Sequence, residues 1–174
     1  MQKRWIREGK TIFPSSGPVI ANINLLREHF KAHGQPIFHV YITHASDGSD
    51  TRAGETTFNI EGTPDSLIID ELTPTKDEYL IPKTRLSAFF KTDLLKLLHA
   101  KNIRGVAVVG LELRACVMAT YIDAYQNDFR PVTIISDAVL DGNQQYITQF
   151  LQSFRGEDFL TTTRDWISNA PSGG

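Results

Sequence analysis

The chain has 174 residues, of which 41% are hydrophobic and 22% charged, with a formal net charge of −2. Those proportions fit one ordinary globular domain with a single core, and the weakly acidic balance gives no electrostatic footing for nucleic acid. No apolar run approaches the roughly 18 residues that cross a bilayer, and one cysteine excludes an intrachain disulfide and suits a reducing cytoplasm, the expected location.

Helical and extended patterns alternate along the chain. Residues 1–8 are basic without an apolar centre, so no secretory signal is expected there. Residues 18–33 predict a helix. Pro18 suits a first turn, Ile23, Leu26 and Phe30 share a face, and Gly34 is a stop signal. The β-branched and aromatic run 36–43 predicts a strand. Residues 45–65 are rich in Ser, Asp, Gly and Thr and predict a long surface loop, a kind of segment that often carries function.

Residues 78–82 predict a short strand with an edge proline, Pro82. Residues 87–100 predict a helix with Ser87 as its N-cap and Leu94, Leu97 and Leu98 inward. Residues 103–110 predict a strand buried on both faces. A turn through 111–113 then leads into a helix that carries Cys116 and runs to about Asn127. Residues 131–136 predict another buried strand, 142–154 a last helix, and 170–174 a frayed end. The alternation predicts a single domain over 1–174 of the α/β class. Its architecture is three-layer α/β/α, with a mainly parallel sheet flanked by helices. Active sites in such sheets lie at the carboxyl ends of strands.

Cys116 follows directly from such an end. A thiol at a helix start meets the positive end of the helix dipole and unpaired N–H groups, which favour a nucleophilic thiolate. A lone cysteine on a helix is as often a small buried hydrophobe. Lys83 follows the strand 79–81. A lysine there is usually a solvated charge, but beside a cysteine at a neighbouring strand end it stabilises a thiolate or an oxyanion.

In this order the motifs extend over nearly the whole chain. The helix ending Leu25-Leu26-Arg27-Glu28-His29-Phe30 leads into the Pro36-Ile37 strand that ends at His44. Leu72-Thr73-Pro74, Asp77-Glu78-Tyr79-Leu80-Ile81-Pro82-Lys83 and Ser87-Ala88-Phe89 follow. Gly110-Leu111-Glu112-Leu113-Arg114-Ala115-Cys116-Val117 then precedes Ser136-Asp137-Ala138. Taken together they resemble the isochorismatase-like cysteine hydrolases, a Rossmann-like α/β family that includes nicotinamidases and N-carbamoyl amide hydrolases.

The resemblance implies an Asp-Lys-Cys triad, with Cys116 as the nucleophile and Lys83 as the lysine. It implies a cis, non-proline peptide at Leu111–Glu112, with the backbone N–H groups of Glu112 and Cys116 as the oxyanion hole. It implies hydrolysis of a small amide or carbamoyl C–N bond through a thioester, without cofactor, in a homo-oligomer. The family's vinyl-ether branch often lacks the cysteine, so that reaction is the weaker alternative, as is a non-catalytic binding or assembly role. The triad aspartate belongs to a first strand, in a pattern Asp-Met-Gln followed three residues later by an aromatic. Here Met1-Gln2 and Trp5 match the rest of that pattern, while the aspartate and its strand are absent. An internal start, a shortened relative, or a segment supplied by another chain would each account for this. The expected consequence is a gap between the strands at 36–43 and 103–110, and a reactive thiol with little turnover.

Trp5, His44, Phe89 and Arg114 are candidate pocket residues, Arg114 for an anionic group on the substrate. Aromatics at such positions are more often core, and an arginine near a helix start is as often a plain surface charge. His29 and His33 have i, i+4 spacing, and His44, Asp47 and Asp50 lie near the expected rim. Neither set offers the convergent three or four ligands a metal needs, so no metal site is expected. Asp77 and Asp137 fit structural positions, and Glu112 is expected to act through its backbone.

Overall fold

The computed structural model describes residues 1–6, 13, 16–153 and 159–169. Helix α1 (Ser16–Ala32) buries Val19, Ile20, Ile23 and Leu26 along one stripe, and Gly34, at φ +64°, follows its end. Strands β1 (Phe38–Ile42) and β2 (Tyr79–Lys83) pair in parallel, Phe38 opposite Tyr79 and Ile42 opposite Lys83. Between them lies the long polar loop, with single 3-10 turns at Pro64–Ser66 and Asp70–Leu72. Helix α2 (Leu94–Ala100) leads to β3 (Val106–Leu111), then one π-helical turn, Leu113–Val117, and α3 (Met118–Gln126). Strand β4 (Val132–Leu140), helix α4 (Gln144–Ser153), β5 (Leu160–Thr161) and α5 (Thr163–Asn169) complete the described chain. The strands β3-β4-β5 form a second parallel sheet.

Two apolar clusters cover the two faces. Leu94, Leu98, Val117, Tyr121, Ala124, Ile147 and Phe150 pack on one side with Ile134. Val19, Ile20, Ile23, Leu26, Ile69 and Leu72 pack on the other with Ile135. Ile134 and Ile135 are neighbours in β4 and point to opposite layers, the period-2 alternation of a strand buried on both faces. The α/β class, the parallel pairing and the three layers are those the sequence predicts.

Glu78, just ahead of β2, ties that strand to α1. Its side chain is 2% exposed and takes Arg27 in two hydrogen bonds (3.2 and 2.8 Å), with Lys31 at 3.3 Å and His39 at 3.0 Å. Burial raises the Glu78 pKa. The Arg27 hydrogen bond, the Thr75 N–H and the charges of Arg27 and His39 outweigh that and bring it to about 2.

Several elements differ from the sequence expectation. The helix predicted over 87–100 begins only at Leu94, and Ser87 does not cap it. Ser87 Oγ instead accepts the Phe89 N–H at 3.1 Å, and Thr92 Oγ1 donates to the Ala88 carbonyl and accepts the Leu94 N–H. These side-chain oxygens take up backbone groups a helix would use, and Lys91 sits at φ +51°. Strand β4 runs four residues past the predicted end at Ser136, since a register shift opposite Val108/Gly110 lets Gly110 pair with Val139. The short β5 and α5 were too brief to give a periodic signal. The end of the last predicted helix at Phe154 and the frayed 170–174 lie outside the described residues.

The largest difference concerns β3. It is half-buried along most of its length rather than buried on both faces. Among the described residues the two sheets are not joined. Between β1 and β3 lies a cavity of about 270 Å³, walled by both strands and by Ile23, Leu26, Leu94 and Leu98 from the two layers. The Tyr79 N–H donates to Ile37 and the Thr43 N–H to Lys83, so odd-numbered residues of β1 face β2. Phe38, Val40 and Ile42 therefore turn their N–H and C=O groups toward the cavity. On the other side the Val106 N–H donates to Pro131, which turns Ala107 and Val109 inward to the same space. At the Ile42 end of this edge the Gln2 side chain takes up both backbone groups; a buried peptide group left without a partner would cost roughly 1–3 kcal/mol.

Candidate active site

The site is built where β2 and β3 end. Parallel register puts Lys83 beside Ile42 at the carboxyl end of the first sheet. The Lys83 side chain is buried, 6% exposed, and its Nζ donates to the Leu86 carbonyl. Burial pushes the Lys83 pKa down, while the charge of Cys116 and a side-chain hydrogen bond to it pull in the opposite direction. The lysine and cysteine singled out from the sequence, 33 residues apart, are thus in contact. The buried backbone nitrogen of Met1 lies beside both.

The local chain course aims the thiol there. Gly110 takes φ +108°, a conformation that favours glycine. The next peptide but one, Leu111–Glu112, is cis and non-proline, at the position the resemblance names. Leu113 is fully buried and anchors the π-turn. The Ala115 and Val117 N–H groups both donate to the Glu112 carbonyl at 3.1 Å, and the Arg114 N–H donates to Asp141 Oδ2 at 3.0 Å. The Glu112 N–H has no acceptor among the described residues. Cys116 itself is partly accessible. A half-buried thiol, a buried ammonium and a free amide at the ends of parallel strands can together attack a carbonyl and hold the charge that develops.

The other candidates divide. Trp5 and His44 share an aromatic group around Phe58, with ring centroids 5.9 and 5.3 Å away, and Arg4 lies over both Trp5 and Phe58. His44 is buried and holds Asp50 at 3.2 Å. Phe89 packs on Phe129 and lines the cavity between the sheets. Arg114 is half-exposed and its charge is matched twice, by Glu112 at 3.0 Å and Asp141 at 3.4 Å. The Glu112 carboxylate is therefore engaged as well as its backbone, and it also accepts the Gly142 N–H. Asp137 accepts the N–H and hydroxyl of Thr163, fastening α5 to β4. His29 and His33 stack ring on ring at 4.2 Å. Among the described residues no group of three His, Cys, Asp or Glu is placed to hold a metal, and Lys83 makes no ion pair with a carboxylate.

Two residues that shape the site were not among the site candidates read from the sequence, although Gln2 was noted there as part of a motif. Gln2 Oε1 accepts the Ile42 N–H at 3.0 Å, and its Nε2 donates to the Ile42 and Ser66 carbonyls at 2.7 Å each. Asp141, whose side chain is fully buried, holds the π-turn through Arg114. The only signal for Asp141 was an acidic residue directly after an apolar strand.

The frame is that of a three-layer α/β protein with a lysine–cysteine pair at the strand ends. The Isochorismatase domain model matches residues 1–165, and the chain belongs to the isochorismatase family. It is 36% identical over 89 residues to a ureidoacrylate amidohydrolase of Agrobacterium fabrum, a stretch covering 51% of this chain and 39% of that protein. The chain thus spans about two fifths of the length of that curated relative. Over 95% of its length it is 28% identical to a protein of Arabidopsis thaliana named "Probable inactive nicotinamidase", covering 90% of it. An isochorismatase family protein of Desulfovibrio vulgaris has the same fold, with a TM-score of 0.86 at 23% identity, covering 97% of this chain and 93% of that one.

Proposed function

We propose that this chain is a cysteine-dependent hydrolase of a small amide or carbamoyl compound, with Cys116 as the nucleophile. The observation that carries the reading is the placement of Lys83 near Cys116, at the strand ends beside the cis Leu111–Glu112 peptide. The Lys83 ammonium stabilises negative charge on Sγ. Cys116 Sγ bonds to the substrate carbonyl carbon, and the carbonyl electrons move to oxygen, where the Glu112 and Cys116 N–H groups receive them. Collapse breaks the C–N bond, the proton given up by the Cys116 thiol reaches the leaving nitrogen through solvent, and the amine departs, leaving a thioester. Water then adds to the thioester, the C–S bond breaks, and the acid leaves as the thiol is restored. Ureidoacrylate and nicotinamide, named for the relatives, set the substrate class to test. The retained cysteine favours this route over vinyl-ether hydrolysis.

A second reading, a binding protein without turnover, is favoured by one observation. Among the described residues no carboxylate touches the Lys83–Cys116 pair to shuttle the proton. Ammonia release from nicotinamide and ureidoacrylate, measured for the chain and for Cys116→Ala, separates the two. Slow release abolished by the substitution supports the hydrolase, and release that survives it refutes Cys116 as the nucleophile. Substrate binding by calorimetry, unchanged in Cys116→Ala and with no release from either protein, supports the binding reading.

A further inference from the structure

A second concavity, of about 280 Å³, lies at the end of the β3-β4-β5 sheet opposite the thiol. Arg104 stands two residues before the start of β3 and Arg130 two residues before the start of β4, whereas Cys116 follows the other end of β3. The six residues of β3 put roughly 15–20 Å between the two places. The C-terminal turns of α2 and α3 wall the concavity, and they close alike. Asn102 and Asp128 take φ +55° and +63°, and their N–H groups donate to the His99 and Tyr125 carbonyls. The Ile103 and Phe129 N–H groups donate to the Leu98 and Ala124 carbonyls, which completes the same left-handed stop on each helix. The Arg130 N–H donates to the Arg104 carbonyl at 2.6 Å, which sets the two arginines side by side.

A basic residue beyond a helix C-terminus often serves the helix dipole. Here the two turns already bond the carbonyls of Leu98, His99, Ala124 and Tyr125. Among the described residues the Arg104 and Arg130 guanidiniums make no ion pair and no hydrogen bond, and Arg130 lies over the Tyr125 ring at 5.6 Å. Asp128 lines the same space and makes no ion pair there either, and His99 is the remaining titratable group of the lining. Phe129, 2% exposed, also lines it, with the His99 ring stacked on its own at 5.7 Å. Two forked guanidiniums match a phosphate group, which takes paired hydrogen bonds from arginine, and the ring surface beside them matches an apolar group joined to it. The volume is at the small end of ligand pockets, of about 300–1,000 Å³, so that group is no larger than one ring.

We propose that this concavity binds a small phosphate monoester, the phosphate held between the Arg104 and Arg130 guanidiniums and the organic group lying on the Phe129 and His99 rings. The Asp128 carboxylate opposes the anion and lowers its affinity. None of these residues is part of the lysine–cysteine site, so the proposal is independent of the hydrolase reading and its readouts are not catalytic.

The probe is phenyl phosphate, titrated into the 174-residue chain and followed by amide chemical shifts, with inorganic phosphate and sodium chloride at matched ionic strength for comparison. The expected result is saturable shifts centred on His99, Arg104 and residues 127–130, with inorganic phosphate weaker by about fivefold. Arg104→Gln and Arg130→Gln are each expected to weaken phenyl phosphate about tenfold. Asp128→Asn is expected to tighten it about threefold. Asparagine suits the left-handed backbone of that position, and a gain in affinity cannot come from lost folding. Inorganic phosphate binding as tightly as phenyl phosphate assigns the place to the free anion and overturns the ester proposal. Shifts that sodium chloride reproduces, that centre elsewhere, or that are indifferent to both arginines and to Asp128 also overturn it.

Discussion

Gln2 and Ile42 exchange two hydrogen bonds, the side-chain amide of the first standing in for a strand neighbour of the second at 3.0 and 2.7 Å. The Gln2 side chain is buried, and its second amide proton satisfies the Ser66 carbonyl. Gln2→Glu replaces that donor by a carboxylate facing two carbonyls. The expected loss is about 2–4 kcal/mol of unfolding free energy, larger than for Gln2→Ala, since a buried charge without a partner costs more than a deleted bond. Urea titration of the two variants checks the order.

Lys83 is a buried ammonium whose partners are a carbonyl and a thiol. Lys83→Met keeps the volume and removes the charge, so alkylation of Cys116 by iodoacetamide at pH 7 is expected to slow by about tenfold. The pH dependence of stability has a definite sign. Burial lowers the Lys83 pKa in the folded chain, net of the opposing pull of Cys116. The unfolded chain therefore binds the proton more tightly. The stability linked to this group is complete above the ordinary lysine value and is lost as the pH falls through the lowered one. Lys83→Met is expected to flatten that part of the profile, which urea unfolding at a series of alkaline pH values measures.

Glu78 behaves in the acid range. With its folded pKa near 2 against an ordinary 4.5, its contribution is complete above 4.5 and is lost as the pH falls from there through about 2. Glu78→Gln leaves the partly buried Arg27 without its carboxylate and is expected to cost about 1–3 kcal/mol at neutral pH. It also removes much of the acid-side slope. Chemical denaturation of both proteins between pH 2 and 7 reads both effects.

Arg114 and Asp141 separate rim from frame. The Arg114 side chain is half-exposed, and its pairs are worth at most about 1 kcal/mol. Arg114→Ala is therefore expected to leave the melting temperature nearly unchanged. Asp141→Ala removes a buried acceptor of the Arg114 and Asn143 N–H groups. It is expected to destabilise by about 2–3 kcal/mol and to slow Cys116 alkylation by loosening the π-turn. Calorimetry and alkylation kinetics on the two variants distinguish them.

Much of the fold was legible from periodicity. The runs at 36–43 and 131–136 are strands because their apolar residues lack helical spacing, and the stripe of Ile23, Leu26 and Phe30 marks α1. Cys116 was legible as a residue following a strand and lies in the turn after β3, while Lys83, expected directly after a strand, is the last residue of β2. Ser87 misled because serine caps helices and turns alike, and here its hydroxyl serves a turn. The Gln2 amide and the Asp141 carboxylate left little trace in the sequence, since each acts on a backbone group distant in the chain. The continuation of β4 past Ser136-Asp137 was hidden by two polar residues inside a strand.

The claim at the centre of this account is that Lys83 makes Cys116 a nucleophile. The most direct test compares iodoacetamide alkylation of Cys116, read by mass spectrometry at pH 7, in the folded chain, in folded Lys83→Met, and in the urea-unfolded chain. Faster reaction in the folded chain than in the unfolded one, with the advantage lost in Lys83→Met, is the predicted result. A folded thiol that reacts no faster than the unfolded one, or is indifferent to Lys83, would contradict it.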